Sequence, residues 1–562
     1  MKGADEPGAA VVWSEVFEIE EIDLMGRKGK LHTRKGVVET PTLAPVINPG
    51  KQLIPPKDIV EMGFPLLITN AYIVKRNYGE LAKELTVHGI LGVDGPVYTD
   101  SGAYQLLVYG RVDVDPLEIF TYQVEIGSDI GVILDIPTRR DTPYTQAREE
   151  VEETLRRLRE ASKIDRKGML LVAPIQGGVH ASLVAYSASQ ASREDADIFA
   201  VGGPTQFMEQ YEYSEVAKLV MTARLNLPWS APLHLFGAGH PIIMPLAVAM
   251  GVDIFDSASY ALYARNDRLL TPRGTLRLEE VDELPCTCPV CSKYNAEELR
   301  EMPKQERVRL IAEHNLYVIQ LELKRIRQAI HEGRLWELVE EKSRSHPALA
   351  DAFKTYIKYS EFVTKVHPVT RSRVQGIFFY DRTSRYRPEV VRHINRLKYR
   401  FRGRSDVLLL FEETPHKPFT RFGLVKEILN DKPELFAQCD IAVLSGAFSI
   451  IPIELDGFYP LSQYEASSMV FEEAEEEIRE DVVWFILINE YRGLVLVYHS
   501  LPHSFVSKLT ARLSGENVIT MPVKLKDYYS ALRDHVRTSE NVEKTVRTVK
   551  ALIRNSVEAP SL

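Results

Sequence analysis

Eight short runs of apolar and small residues punctuate the first 260 positions, at 40–46, 65–69, 96–99, 131–136, 169–175, 197–201, 232–236 and 252–255. Runs of this kind suit strands buried on both faces. Helical spacing separates several of them. Short examples lie at 55–62 and 80–88, and the longest, 141–163, carries Ala147, Val151, Leu155 and Leu158 on one stripe. Alternation of strand and helix predicts an α/β fold with a parallel sheet. Eight strands allow closure into a (β/α)8 barrel, and an open doubly wound sheet is the alternative.

Four of these runs end on polar groups: Val97-Tyr-Thr-Asp100, Gly131-Val-Ile-Leu-Asp135, Leu170-Leu-Val-Ala-Pro-Ile-Gln176 and Val252-Asp-Ile-Phe-Asp256. In a parallel barrel, catalytic side chains gather at the C-terminal ends of strands. Three carboxylates and an amide there predict one site drawn from distant parts of the chain. Glycines follow several strands, at Gly102, Gly177-Gly178, Gly202-Gly203 and Gly237-Ala-Gly239. They read as tight turns, or as backbone brought close to a planar ligand. None forms a dinucleotide fingerprint or a phosphate-binding P-loop.

Beyond the barrel-like region the pattern changes. Residues 316–345 have strong helical spacing. The segment 367–404 holds eleven Lys and Arg against Asp381 and Glu389, a formal +9, with Tyr380, Tyr386, Tyr399 and Phe401 interleaved. A basic, aromatic-rich segment is a candidate RNA contact, and a solvated helix face is the alternative. Apolar runs at 406–411, 441–445 and 483–488 read as strands of a further α/β unit. The acidic run that starts at Glu472 reads as an exposed helix face or linker, and 520–557 reads as helical.

Composition narrows the class. The chain has 562 residues, 45% hydrophobic and 26% charged, with a net charge of -9. That length predicts several domains and a globular protein. Four cysteines occur, and Cys286-Thr-Cys288-Pro-Val-Cys291 holds three of them. Such clustering suits a metal site in a reducing compartment rather than a disulfide framework. With His314, the thiolates make a closed four-coordinate zinc site, structural because no position stays open. Cys439 reads as a small core residue. The N-terminus lacks a signal pattern, and no apolar run reaches about 18 residues, so a cytoplasmic protein without membrane contact is expected.

Taken together, Asp100-Ser-Gly-Ala-Tyr-Gln105, Asp135-Ile-Pro-Thr-Arg-Arg-Asp, Pro174-Ile-Gln-Gly-Gly, Val201-Gly-Gly-Pro, His234-Leu-Phe-Gly-Ala-Gly-His-Pro241, Phe255-Asp-Ser-Ala-Ser-Tyr and the cysteine knuckle with Glu313-His314-Asn315-Leu316 resemble the tRNA-guanine transglycosylase family, in its archaeal form. The resemblance implies a (β/α)8 TIM barrel with a zinc-binding insertion, spanning 1–345 with the zinc module at about 280–345. A basic accessory domain at 346–405 and a C-terminal α/β region at 406–562, without a recognisable PUA domain, would follow. It also implies exchange of guanine at D-loop position 15 of tRNA for preQ0 (7-cyano-7-deazaguanine), the entry to archaeosine. A homodimer is implied, and a separate PUA-type RNA-binding partner is possible.

By the same resemblance Asp256 is the nucleophile toward the ribose C1′ and Asp100 the general acid/base. Asp135, Gln176, Ser101, Gly202 and Gly203 would hold the base, with Tyr104 and Phe236 on its faces. Cys286, Cys288, Cys291 and His314 would hold one structural Zn2+. Base exchange breaks and remakes an N-glycosidic bond, so it needs a nucleophile and a proton carrier but no ATP or redox cofactor. Arg139 and Arg140 could meet RNA phosphate or form surface ion pairs. The rival readings are a non-catalytic tRNA-binding subunit, an archaeosine synthase-like paralogue, and a nucleoside glycosidase.

Overall fold

The computed structural model describes residues 13–103, 115–371, 375–525 and 543–552. The chain divides into two compact units. One runs to Tyr359 and takes in Val366–Thr370; the other comprises Ser360–Lys365 and the chain from Arg371 onward.

The first unit is a closed barrel of eight parallel strands. They are β1 (Thr42–Ile47), β2 (Leu67–Asn70), β3 (Val97–Asp100), β4 (Ile130–Val132), β5 (Leu170–Ile175), β6 (Ile198–Val201), β7 (Leu233–Leu235) and β8 (Ile254–Ser257). Each strand pairs with its neighbours in sequence, and β8 closes on β1 with Asp256 opposite Ala44. All eight apolar runs are therefore strands, and the open-sheet alternative is excluded. The intervening helices include Leu81–Leu91, Tyr144–Ala161 and Tyr213–Leu225. Tyr144–Ala161 buries Ala147, Val151, Leu155 and Leu158, the stripe its spacing predicts.

One end of the barrel is sealed. A three-stranded antiparallel sheet (Phe17–Asp23, Gly26–Thr33, Gly36–Thr40) precedes β1, and Phe17, Leu31 and Val38 join Ile68, Tyr98, Ile130, Val172 and Ile254 in one core cluster. Arg27 reaches from this sheet to Asp253, just ahead of β8, and to the Ala231 carbonyl, just ahead of β7. The sheet thus covers the N-terminal ends of the strands. Three aspartates recur there: Asp129, Asp197 and Asp253 each precede a strand, and each accepts a 2.8 Å hydrogen bond from a backbone N–H of the adjacent strand, at Val97, Leu171 and Leu233. They satisfy edge donors that burial would otherwise orphan. The opposite, C-terminal end is left for chemistry.

After β8 come a hairpin (Arg268–Thr271 with Gly274–Arg277), the cysteine knuckle and a long helix, Lys304–Glu332. That helix stops at Gly333, whose φ of 74° is the left-handed cap that glycine favours.

The second unit is built on a five-stranded sheet. Its order is Ser449–Pro452, Asp440–Ser445, Val407–Glu412, Gly493–Tyr498, Ile519–Lys524, all parallel except the first. Alternate residues feed two clusters: Leu408, Leu410, Leu494 and Leu496 face one way, and Val407, Leu409, Val495 and Val497 the other. The runs at 406–411 and 441–445 are strands as expected. The run at 483–488 is not. It closes the helix Ser468–Ile488, in which Val470, Ala474, Ile478, Val482, Phe485 and Ile486 form one buried stripe. The acidic run lies on the exposed side of that same helix, so the two features that read as separate belong to one amphipathic element. The helical expectation for 520–557 is also corrected: Ile519–Lys524 is a strand, 543–552 is helical, and the rest lies outside the described residues. Among the described residues no helix is long and apolar enough to cross a membrane.

Candidate active site and metal site

Asp100 is the last residue of β3 and Asp256 lies in β8, one residue before its end. Asp135 follows β4 by three residues, and Gln176 follows β5 directly. The barrel therefore gathers all four at its C-terminal rim.

Asp256 is held on one side. Its Oδ1 accepts from the Gly237 backbone N–H at 2.7 Å and from His234 Nε2 at 2.9 Å. His234, on β7, is fully buried, and its Nδ1 lies 3.1 Å from the Tyr98 hydroxyl of β3. Gly237 has φ 65°, and a Cβ there would stand 2.5 Å from Thr205 Cγ2, so only glycine delivers this N–H.

Asp100 accepts from Asn70 Nδ2 at 3.2 Å and from the Gly102 N–H at 3.3 Å. It keeps an edge toward solvent. Burial first, then the charges of Asp135 and Asp256, push its carboxyl up to about 7. Asp135 is buried, and burial raises it to about 6 although the Gln176 amide opposes the shift. The same three carboxylates, after burial itself, hold the Tyr98 hydroxyl well above its ordinary value. Groups that feel one another in this way share one pocket.

Gln176 Nε2 donates to Asp135 Oδ2 at 2.5 Å, and its Oε1 accepts the Thr138 N–H at 3.2 Å. The amide lies flat on Gly202: a Cβ there would be 2.2 Å from Gln176 Nε2. Gly203 adopts φ 74° and starts the next turn. Among the described residues, Ser101 Oγ and Thr138 Oγ1 are buried without a hydrogen-bond partner. Native interiors rarely leave such groups unsatisfied unless water or a ligand meets them. Phe236 stands half-buried at the rim, its ring edge-on to His234 at 4.5 Å. Tyr104 lies outside the described residues. Sequence reading gave no role to Tyr98, Asn70, Thr138 or His234; only the histidine carried a signal, as a polar residue between Leu233 and Leu235.

Cys286, Cys288, Cys291 and His314 converge, with their donor atoms all within 4.8 Å of one another. The three sulfurs lie 3.3–3.5 Å from His314 Nδ1, and Cys286 and Cys291 are 3.7 Å apart. Zinc–sulfur bonds of about 2.3 Å give a tetrahedral edge of about 3.8 Å, so the donors already stand at metal-binding spacing. His314 Nε2 donates to the Leu270 carbonyl at 2.9 Å, which leaves Nδ1 free for a metal. The group could hold a metal ion and is consistent with zinc. Next to it, Asn315 accepts from Leu270 N at 2.6 Å and donates to the Tyr260 carbonyl at 3.1 Å. Asn315 thereby ties the hairpin to the helix Ser259–Arg265 that follows Asp256.

Elsewhere the basic residues divide. Arg139 pairs with Asp141 and Arg140 with Glu212, both at the surface. Within the second unit, Arg382 pairs with Glu477, Arg385 with Asp481 and Arg387 with Glu389. Arg396, Tyr399, Arg400 and Arg402 are exposed, Tyr399 at 76%. A cleft of about 610 Å³ lies apart from the carboxylates, lined by Arg268, Arg277, Arg300 and Arg307 with Asp267 and Glu279.

Residues 23–348 match the family model described as TGT, queuine tRNA-ribosyltransferase. A protein of Pyrobaculum aerophilum named tRNA-guanine(15) transglycosylase is 42% identical over 491 residues, covering 86% of this chain and 96% of that one. A protein of the same name from Methanocaldococcus jannaschii is 42% identical, covering 83% of this chain and 70% of its own. One from Sulfolobus acidocaldarius is 38% identical, covering 86% and 95%. With its barrel, its rim of carboxylates and its Cys3His cluster, the chain belongs to the TGT, or queuine tRNA-ribosyltransferase, family.

Proposed function

We propose that the chain is a tRNA-guanine transglycosylase that exchanges guanine at position 15 of the tRNA D-loop for preQ0, through a covalent Asp256–ribose intermediate. The observation that carries this reading is the convergence of Asp100, Asp135 and Asp256 on one barrel rim, where burial and then its acidic neighbours raise the Asp100 carboxyl to about 7. A carboxyl poised near neutrality can both give and take the proton that base exchange moves, and a second carboxylate within the same pocket can serve as nucleophile.

The target base leaves the stack and enters the pocket. Asp135 accepts from its N1–H and exocyclic amine, and Gln176 spends its second N–H on the ring carbonyl. Gly202 and Gly203 bring backbone close to the other edge, and Ser101 lends its hydroxyl. Phe236 and Tyr104 supply the faces. Asp256 attacks C1′; the bond to the base breaks with its electron pair, and Asp100 gives the departing base its proton. The incoming base then surrenders a proton to Asp100 and attacks C1′, which frees Asp256. Two displacements retain configuration.

The Cys3His cluster would hold one zinc ion with a structural role, fastening the hairpin and helix behind the Asp256 loop. The second unit would add RNA contacts through Arg396, Tyr399, Arg400 and Arg402, and the active form would be a homodimer. The test is release of labelled guanine from an unmodified tRNA transcript. Release that needs preQ0 and is lost in Asp256→Asn supports the reading. Tight tRNA binding with no release from the wild type would replace it with a non-catalytic tRNA-binding subunit.

A further inference from the structure

Asp256 carries an asymmetry that base exchange by itself does not require. Both donors that reach it, the Gly237 N–H and His234 Nε2, converge on Oδ1. Among the described residues no hydrogen bond reaches Oδ2, and the carboxylate side chain is 13% exposed. Behind it, Tyr98 and His234 span the barrel interior from β3 to β7, both fully buried.

We propose that Tyr98 and His234 are positioning residues that lock Oδ1 of Asp256 and present Oδ2 as the attacking oxygen. This rests on the reading of Asp256 as the nucleophile.

With Oδ1 of Asp256 accepting, His234 Nε2 carries the hydrogen, and Nδ1 is left to accept from the Tyr98 O–H. Burial first, then the charges of Asp256, Asp100 and Asp135, raise the Tyr98 hydroxyl well above its ordinary value, so it keeps its proton. Tyr98 therefore selects the tautomer that donates to Asp256, and Phe236, edge-on at 4.5 Å, restrains the ring.

The lock serves both half-reactions. In the first, an Oδ2 lone pair forms the bond to C1′ while the C1′–N bond breaks toward the base, and Oδ1 becomes the ester carbonyl. In the second, the Oδ2–C1′ bond breaks toward the carboxylate. The returning charge spreads onto Oδ1, where the two N–H donors already point. Donors aimed beforehand at developing charge need no reorganisation at the moment of reaction.

The experiment compares Tyr98→Phe, His234→Gln and His234→Leu with the wild type and with Asp256→Asn. It measures kcat, KM for tRNA and for preQ0, thermal stability, and the single-turnover rate of the covalent enzyme–tRNA adduct on denaturing gels. His234→Leu is expected to lose about a hundredfold in kcat and in adduct rate, with both KM values within about twofold. His234→Gln keeps an N–H donor and should recover about tenfold of that loss; Tyr98→Phe should fall between the two. Should His234→Leu fail to fold, the Gln and Phe variants decide. Wild-type kcat in Tyr98→Phe and His234→Leu, or equal losses in the Leu and Gln variants, overturns the proposal while leaving Asp256 as nucleophile. Adduct formation by Asp256→Asn at the wild-type rate overturns the nucleophile and this inference with it.

Discussion

Gln176 turns its amide nitrogen onto the Asp135 carboxylate at 2.5 Å, while the Thr138 backbone N–H at 3.2 Å claims its amide oxygen. The backbone donor leaves the amide one orientation, so one N–H is committed to Asp135. Asp135→Asn removes a charged acceptor for the base but still offers Gln176 an oxygen. Hydrogen bonds to a charged group contribute about 1.5–3 kcal/mol, so preQ0 binding by calorimetry should weaken roughly 10–150-fold. Binding unchanged within about twofold would remove Asp135 from the base site.

The two raised carboxyls set a pH signature. The proposed mechanism needs Asp135 ionised to accept and Asp100 protonated to donate. The profile of kcat/KM for tRNA should rise through about 6 and fall through about 7, as apparent values of a coupled pair. A flat profile from 5 to 9 would contradict the assignment. For stability the sign is opposite to that of an ion-paired aspartate. Below the ordinary value of 3.8 both states hold the proton. Above it the unfolded chain ionises first, so stability falls as pH rises through about 7. Asp135→Asn should therefore be more stable than wild type at pH 8, by on the order of 2 kcal/mol, and no more stable at pH 3.5.

Gly202 tests the same pocket sterically. In Gly202→Ala the new methyl would meet Gln176 Nε2 at 2.2 Å, and the amide must swing off Asp135. The expected result is a rise of about tenfold in KM for preQ0 with a stability cost of about 1–3 kcal/mol. A wild-type KM would mean that the amide orientation is irrelevant to base binding.

The metal cluster makes a separable prediction. Elemental analysis should find one zinc per chain, and Cys288→Ser should lose it. Asn315 links the Leu270 strand to the carbonyl of Tyr260, four residues beyond Asp256, so metal loss should loosen the active-site rim as well as the module. Thermal stability should fall by roughly 10 °C, corresponding to a loss of several kcal/mol. A metal-free Cys288→Ser with wild-type melting and turnover would refute a structural role.

The barrel was legible because its strands are buried on both faces and so appear as uninterrupted apolar runs, each cut off by a polar rim residue such as Asp100 or Asp256. The metal-site cluster was legible because three of its residues sit within six positions, from Cys286 to Cys291. What escaped is carried by separation. Tyr98 and His234 are 136 residues apart, and neither strand says that the other side chain is there. Val483 and Ile486 misled for a related reason. Their β-branched side chains favour strands, but burial in step with Val470, Ala474 and Ile478 overrides local preference. The basic segment was legible as charge and not as surface. Arg385 and Arg387 neutralise Asp481 and Glu389, and partners so distant or so buried cannot be assigned from composition.

That division among the arginines yields the last prediction. If the second unit grips RNA, the effect must come from its exposed cations and not from the count of eleven. Arg396→Ala and Arg400→Ala should each weaken tRNA binding and reduce the slope of log K against log salt by about 0.7–0.9, the signature of one lost phosphate contact. Tyr399, 76% exposed, offers a face on which a base can stack, so Tyr399→Ala should cost about 1–3 kcal/mol of binding with the salt slope unchanged. Arg387→Ala should behave differently: it breaks a buried ion pair with Glu389, so folding stability falls while any change in the salt slope stays small. Equal salt slopes for Arg396→Ala, Arg400→Ala and wild type would show that this helix end does not meet phosphate, and would leave the barrel unit alone to bind tRNA.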